Sequence, residues 1–155
     1  LTLQKKINIQ NKKARFEYEI LDKFVAGIQL TGTEIKSIRL SQARITESFC
    51  EFNDRGELFI VNMYIQEYMF GHHFNHKPKS ERRLLLNKRE LRSLKKDVEA
   101  KGNTIVPLKL FINDRGFAKL EIALAKGKQT HDKRNVIKDR DNKRDLARIK
   151  KKFNT

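Results

Sequence analysis

The chain is poor in the residues that mark secreted, disulfide-stapled proteins. Its 155 residues include one cysteine, two prolines and no tryptophan. A single cysteine forms no internal disulfide, which excludes a small secreted scaffold and predicts a reducing, cytoplasmic compartment. Cys50 lies in an alternating stretch beside Phe49 and Phe52. We therefore interpret it as a small hydrophobic residue of the core or of a sheet edge and not as a nucleophile.

Long hydrophobic runs and catalytic motifs are also missing. No apolar stretch reaches the roughly 18–20 residues that span a bilayer, and the first residues lack the apolar segment of a signal peptide. There is no glycine-rich phosphate loop and no recognisable pair of catalytic carboxylates. We therefore expect no membrane-spanning segment and no cofactor, and a binding protein is favoured over an enzyme.

Acidic residues are few compared with basic ones. The chain has 19 Asp and Glu residues and 35 Lys and Arg residues, which gives a formal net charge of +16. Such an excess indicates a polyanionic partner, either nucleic acid or an anionic membrane surface. Hydrophobic residues make up 38% of the chain, which at this length fits one folded domain with a core.

The positive charge is concentrated at the C-terminal end. Residues 126–155 contain twelve basic and four acidic residues, so half of the net charge lies in this segment. Its few apolar residues do not offset the entropy of ordering it, which predicts a tail that is disordered when free. Leu146, Ile149 and Phe153 recur at helical spacing, so a helix could form against a partner. A solvated tail that only aids solubility is the alternative.

Two identical turns predict β-hairpins. The tetrapeptide Asn-Asp-Arg-Gly occurs at residues 53–56 and again at 113–116. Apolar runs flank both copies, and each glycine stands where a turn needs a positive φ. The predicted strands cover residues 49–52 with 58–63, and 108–112 with 117–124.

The N-terminal third also has strand-like patterns. Residues 14–21 alternate, with Phe16, Tyr18 and Ile20 on one face. A second run covers residues 24–30, and Gly27 inside it is typical of a bulge or a tight corner.

Helical signals are few. Asn87 and Glu90 are typical of an N-cap and its capping box, and Gly102 stands where a glycine follows a helix. One apolar face lies between them: Leu91, Leu94 and Val98. We also predict a short helix over residues 33–39 and a helical turn over residues 64–70.

These elements together predict a mainly β fold. We expect residues 1–125 to form an OB-like closed β-barrel with about three small peripheral helices, an architecture that often presents nucleic-acid surfaces. We expect residues 126–155 to form the basic tail, disordered when free.

A histidine-rich loop invites two interpretations. His72, His73 and His76 lie close together in the sequence, but residues 71–80 contain no cysteine, aspartate or glutamate. A zinc site requires a fourth ligand at a characteristic spacing. We therefore expect no metal. Hydrogen bonds from the histidine and asparagine side chains of this loop to RNA are favoured.

Two segments combine cations with a flat ring. Residues 11–18 and 126–134 each carry several Lys or Arg together with an aromatic or histidine side chain. Cations neutralise phosphates and a ring stacks on an unpaired base, so both segments are candidate RNA contacts. Core packing is the alternative for Phe16 and Tyr18, and we favour it for at least one of them.

The ordered set of motifs resembles the small protein B family, the SsrA-binding proteins that partner transfer-messenger RNA in bacteria. The matching segments are NKKAR at 11–15 with Glu17 and Tyr18, AGI at 26–28, LTGTEIKSIR at 30–39, NHKP at 75–78, RLLLNKREL at 83–91 and AKGKQTHDKR at 125–134. This chain has Val25 where many members carry an acid.

The resemblance implies an adaptor for ribosome rescue by trans-translation. A monomer would grip the tRNA-like domain of transfer-messenger RNA and act with the alanylated RNA and elongation factor Tu. It would enter a stalled 70S ribosome, where the tail would lie in the decoding centre and the mRNA channel and fold into a helix.

The resemblance also implies two sets of contact residues. The transfer-messenger RNA contacts are Ala26, Gly27, Thr33, Glu34, Lys36, Ser37, Arg39, His76, Leu85 and Lys119. The decoding-centre and tail contacts are Gly127, Lys128, His131, Asp132, Lys133, Arg134 and Ile149, with His131 suited to stacking on a ribosomal RNA base.

Two other functions remain open on the sequence. One is a general ribosome-associated OB-type RNA-binding protein without preference for transfer-messenger RNA. The other is a metal-dependent nuclease that uses the loop containing His72, His73 and His76.

Overall fold

A computed structural model describes residues 6–100 and 102–128. This part of the chain contains nine strands and three helices. In chain order they are β1 (Asn8–Gln10), α1 (Lys12–Glu17), β2 (Tyr18–Ile28), α2 (Gly32–Arg39), β3 (Ala43–Arg44), β4 (Phe49–Phe52), β5 (Leu58–Val61), β6 (Tyr64–Ile65), β7 (Arg82–Leu85), α3 (Lys88–Glu99), β8 (Asn103–Ile112) and β9 (Ala118–Gly127).

The main sheet closes on itself. Antiparallel pairs run in the order β8, β4, β5, β7, β2, β9, and β9 pairs back with β8 to complete a ring of six strands. Strand β1 adds to the other side of β8, while β3 and β6 form a separate two-stranded sheet. The predicted mainly β fold with a closed arrangement of strands is confirmed.

The core lies inside this ring because alternate residues of each strand point inward. Leu84, Leu110 and Leu120 are fully or almost fully buried there. Helix α2 contributes Ile38 and α3 contributes Leu94 to the same cluster. Cys50 belongs to this cluster too. Its burial confirms the interpretation as a core residue and raises the pKa of its thiol.

Both predicted hairpins are present, β4–β5 and β8–β9. In the first turn Asn53 Oδ1 accepts hydrogen bonds from two backbone N–H groups, and Gly56 has a φ of 78°. In the second, Asn113 Oδ1 does the same and Gly116 has a φ of 86°. The repeated tetrapeptide therefore folds into the same turn twice, for the local reasons that its residues suggest.

Two predicted helices form with small shifts of their ends. Helix α3 has the capping box of Asn87 and Glu90. The helix ends at Glu99 with Ala100 as its C-cap. Gly102, with a φ of 69°, is therefore the second residue after the cap and not the first, as predicted. Helix α2 begins at Gly32, one residue before the predicted start, because Thr31 caps it.

The predicted strand over residues 14–21 is wrong in its first half. Residues 12–17 form α1, and the strand begins at Tyr18. The buried Asn11 accepts a hydrogen bond from Ala14 N, and its amide donates to Pro107 O at 2.9 Å. A contact to a distant strand thus makes Asn11 an N-cap, which overrides the alternating pattern. The irregularity in β2 falls between Ile20 and Asp22 and not at Gly27.

The helical turn predicted over residues 64–70 is also wrong. Tyr64 and Ile65 form β6, and the residues after it form a loop. The N–H of Ile65 donates to Pro78 O, and that of Gln66 donates to Gln42 O. Because distant segments hold these donors, the i to i−4 bonds of a helix do not form.

The second hairpin turn generates a stability prediction. Gly116→Ala places a Cβ on a residue with a φ of 86° and should destabilise the fold by about 1–2 kcal/mol. Gly32→Ala is the control, since Gly32 is helical and an added Cβ there meets nothing within 4 Å; it should be neutral or stabilise by up to about 1 kcal/mol. Urea unfolding of both variants gives the comparison, and equal effects would contradict the argument.

Candidate nucleic-acid interface

Three of the predicted RNA contacts meet on the outer face of the ring. Gly27 of β2 lies directly opposite Leu85 of β7 and opposite Lys119 of β9. A Cβ added to Gly27 would stand 3.4 Å from Leu85 Cβ and 3.7 Å from Lys119 Nζ. Leu85 is half-exposed. We call Gly27, Leu85 and Lys119 the central patch: it combines open backbone, an exposed aliphatic side chain and a cation.

The residues beside Gly27 have opposite environments. Val25 is exposed and lies opposite Glu121 on β9. Glu121 Oε1 is 3.4 Å from an Arg15 guanidinium nitrogen, so an acid paired with a base stands next to Val25. Ala26 is fully buried in the core. Its predicted contact with RNA stays a prediction, and the burial of its side chain leaves only Gly27 and Val25 of this segment at the surface.

Helix α2 offers two exposed cations, Lys36 and Arg39. The Lys36 ammonium lies 5.5 Å from the centre of the Tyr68 ring, within range of a cation–π contact. Arg39 borders an open cleft of about 630 Å³ that the second hairpin turn also lines through Asn113 and Gly116. The cleft therefore lies between α2 and the turn that leads into β9, and Asp114 of that turn also lines it.

Behind α2, a buried ion pair holds the helix to the rest of the protein. Arg82 Nε donates to Glu34 Oε2 at 2.5 Å, and a second guanidinium nitrogen donates to Met63 O at 2.6 Å. The third donates to the carbonyls of Lys77 and Pro78. The other oxygen of Glu34 accepts the N–H of the cap residue. Arg82 thus ties the first turn of α2 to two loops.

His76 has a similar internal role. It is buried, with Nδ1 2.9 Å from Thr33 Oγ1 and Nε2 2.9 Å from Ile65 O. Because a carbonyl only accepts, Nε2 donates to Ile65 O, and in the neutral ring Nδ1 accepts from the threonine hydroxyl. Glu34 and Ser37 are buried as well. Direct RNA contacts by these four residues stay predictions; the structure uses the side chains of Thr33, Glu34 and His76 to position α2.

The histidine-rich loop shows no metal centre. Across residues 6–100 and 102–128, no three His, Cys, Asp or Glu side chains are grouped so as to hold an ion. His72 and His73 are exposed, while both ring nitrogens of His76 bond within the protein. The nuclease alternative gains no support from these residues.

A second surface forms where the last strand ends. Gly127 lies opposite Tyr18, and the N–H of Lys128 donates to Glu17 O at 3.1 Å. The Lys128 ammonium is 5.7 Å from the centre of the exposed Phe16 ring. We call Phe16, Gly127 and Lys128 the tail-root surface. The two cation-and-ring segments of the sequence therefore meet in space.

Tyr18 packs against a second apolar cluster, which confirms core packing for one of the two N-terminal rings. The ring of Phe16 stays at the surface.

Five predicted tail contacts lie outside the described residues: His131, Asp132, Lys133, Arg134 and Ile149. The predicted domain boundary after residue 125 stays a prediction, although β9 continues through Gly127.

Sequence reasoning missed Arg82. The alternation of β7 contained the signal: Arg82 and Leu84 are buried while Arg83 and Leu85 face outward. An arginine in phase with a buried leucine needs an internal partner. The partner, Glu34, is 48 residues away in sequence and could not be identified from spacing.

The fold and these surfaces define a class: a small basic protein built on a closed ring of strands, with two cation-bearing surfaces suited to nucleic acid. Among the described residues, none of the helices is both long and apolar enough to cross a membrane.

Comparison with known proteins identifies the family. Residues 8–152 match the family model described as SmpB protein. The SsrA-binding protein of Flavobacterium psychrophilum is 68% identical over 149 residues, which cover 96% of this chain and 99% of that protein. That of Bacteroides thetaiotaomicron is 51% identical over 149 residues, with 96% and 99% covered. The chain therefore belongs to the SmpB protein family.

A solved structure agrees with this assignment. It is described as "tmRNA-SmpB: a journey to the center of the bacterial ribosome" and superposes with a TM-score of 0.66 at 48% identity, covering 80% of this chain and 86% of the other. The similarity in sequence and fold thus extends over most of both chains.

The buried ion pair generates a second prediction. Arg82→Met keeps an apolar stem but leaves the Glu34 carboxylate buried without its cation, which should cost about 3–5 kcal/mol of folding free energy. The neighbouring Arg83→Met removes an exposed pair with Glu57 and should cost about 0–1 kcal/mol. Chemical denaturation measures both. Similar losses for Arg82→Met and Arg83→Met would refute the role of Arg82.

Proposed function

We propose that this protein is an RNA-binding adaptor for ribosome rescue. It binds the tRNA-like domain of transfer-messenger RNA and delivers it to stalled ribosomes for trans-translation. It works in the cytoplasm with the alanylated RNA and elongation factor Tu and catalyses no reaction itself. Membership of the SmpB family supports this function, and the central patch is the structural observation that carries it.

The central patch has the chemistry of an RNA contact. Gly27 allows close approach of a nucleotide because it has no side chain. Leu85 offers an aliphatic surface to a base or sugar, and Lys119 offers a positive charge to a phosphate. All three lie on adjacent strands, so the surface is preformed and loses little entropy when RNA binds.

The tail-root surface supports the ribosomal half of the function. Lys128, near the start of the basic tail, lies beside Phe16, and the tail itself would enter the decoding centre and the mRNA channel. A chain segment with many cations and few apolar residues folds against a polyanion more readily than alone. The protein therefore uses separate surfaces for the two RNAs.

Truncation tests this separation. A stop codon after Lys128 keeps β9 and the bond from Lys128 N to Glu17 O. It should leave affinity for the tRNA-like domain within about threefold, because the central patch is intact, and abolish peptide tagging on stalled ribosomes. Filter binding and an in vitro tagging assay measure the two effects. Loss of RNA affinity in the truncated protein would reject the separation.

Lys119 tests the central patch. If its ammonium contacts a phosphate, Lys119→Ala should weaken binding and lower the slope of log K against log salt by about 0.7–0.9. Lys95→Ala, on the exposed side of α3, is the matched control and should change neither. Titrations at several salt concentrations provide the slopes.

Competition with unrelated structured RNA distinguishes a general RNA binder, which would show no preference for the tRNA-like domain.

A further inference from the structure

The loop between β6 and β7 displays large apolar side chains to solvent. Phe74 is 87% exposed and Phe70 is 63% exposed, with Met69 equally open. Met69, Phe70 and Phe74 lie within six residues of one another, and exposed apolar patches of this kind mark interaction sites on small soluble proteins. The functional surfaces described above do not include them.

The loop has a defined shape. The Asn75 amide bonds both backbone groups of Tyr68, accepting from its N–H at 3.1 Å and donating to its carbonyl at 2.8 Å. Gly71 N donates to Tyr68 O, and a Cβ on Gly71 would stand only 2.7 Å from Asn75 Nδ2. The buried His76 anchors the end of the loop. The rings therefore project from a structured platform.

Acids stand only at the two ends of the loop, Glu67 and Glu81, and the stretch that carries the rings is basic. Residues 68–80 contain no acid and include Lys77 and Lys79, both exposed. Across from the loop, the Lys36 ammonium of α2 lies over the Tyr68 ring, and the Tyr68 ring meets the Phe70 ring edge to face at 5.5 Å. Aromatic faces next to cations are the arrangement that holds unpaired nucleotides by stacking and by phosphate neutralisation.

We propose that this loop is a binding site for unpaired RNA bases, in which Phe70 and Phe74 stack on bases while Lys36 and Lys77 neutralise the adjoining phosphates. A paired duplex hides its base faces, so the site selects single-stranded segments or loops. The sequence pointed to the histidines of this loop; the structure points to its phenylalanines. The inference rests on the proposed function only in taking RNA as the partner.

The probe is a short RNA oligonucleotide that carries the fluorescent base 2-aminopurine, used single-stranded and as a duplex. Phe70→Ala and Phe74→Ala should each weaken binding of the single strand by about 5- to 150-fold and leave duplex binding unchanged. Phe74→Trp should retain affinity and quench the fluorescent base, while Phe74→Leu, which keeps an apolar surface without a ring, should lose both.

Phe117→Ala is the matched control, because Phe117 is 62% exposed on the turn between β8 and β9. It should bind the single strand like the parent protein. The proposal is overturned if the Phe70 and Phe74 alanine variants keep their single-strand affinity, or if Phe117→Ala loses as much. It is also overturned if Phe74→Leu keeps full affinity and quenching, because that result favours an apolar contact of the protein-docking kind.

A parallel titration separates this inference from the proposed function. The parent protein is tested for preference between the tRNA-like domain and an unrelated structured RNA. If the parent protein prefers the tRNA-like domain and the loop variants bind the single strand as well as the parent, the stacking site is rejected and the function stands. If the parent protein shows no preference and the loop variants lose single-strand affinity, the function is rejected and the stacking site is supported.

Discussion

Strand β9 is the constraint on which both surfaces depend. It pairs with β2 on one side and β8 on the other, and so completes the ring. The same strand carries Lys119 opposite Gly27 near its start and Gly127 opposite Tyr18 at its end. An extended strand rises about 3.3 Å per residue, which separates these two positions by about 26 Å. One rigid element therefore sets the distance between the central patch and the tail-root surface.

A buried polar network fixes the position of α2, as β9 fixes the positions of the two surfaces. Arg82 and Glu34 lose hydration in the core, and the carbonyls around the guanidinium compensate for much of that loss. A bond between Thr33 and His76 holds the same helix turn. An apolar core could pack as tightly, but these directional bonds set how the helix meets the loop that carries Phe70 and Phe74. The hidden polar residues thus orient the exposed ones.

Local signals predicted the elements whose hydrogen bonds are local. The two Asn-Asp-Arg-Gly turns and the capping box of α3 close within a few residues, so their chemistry is visible in the sequence. The errors fall where distant groups decide. Asn11 becomes a cap through Pro107 O, and Ile65 joins a strand while its N–H bonds Pro78 O. Propensity is a weak guide wherever tertiary hydrogen bonds are available.

The sequence by itself determined the class of partner, the mainly β fold and the family, because charge, alternation and ordered motifs are properties of the chain. It also contained the candidate contacts Gly27, Leu85 and Lys119 without a reason for them to be neighbours. Only the tertiary structure decided which candidates face solvent and which serve the core. Strand register brings Gly27 between Leu85 and Lys119, and burial turns Glu34 and His76 inward, since both outcomes depend on residues far apart in the chain.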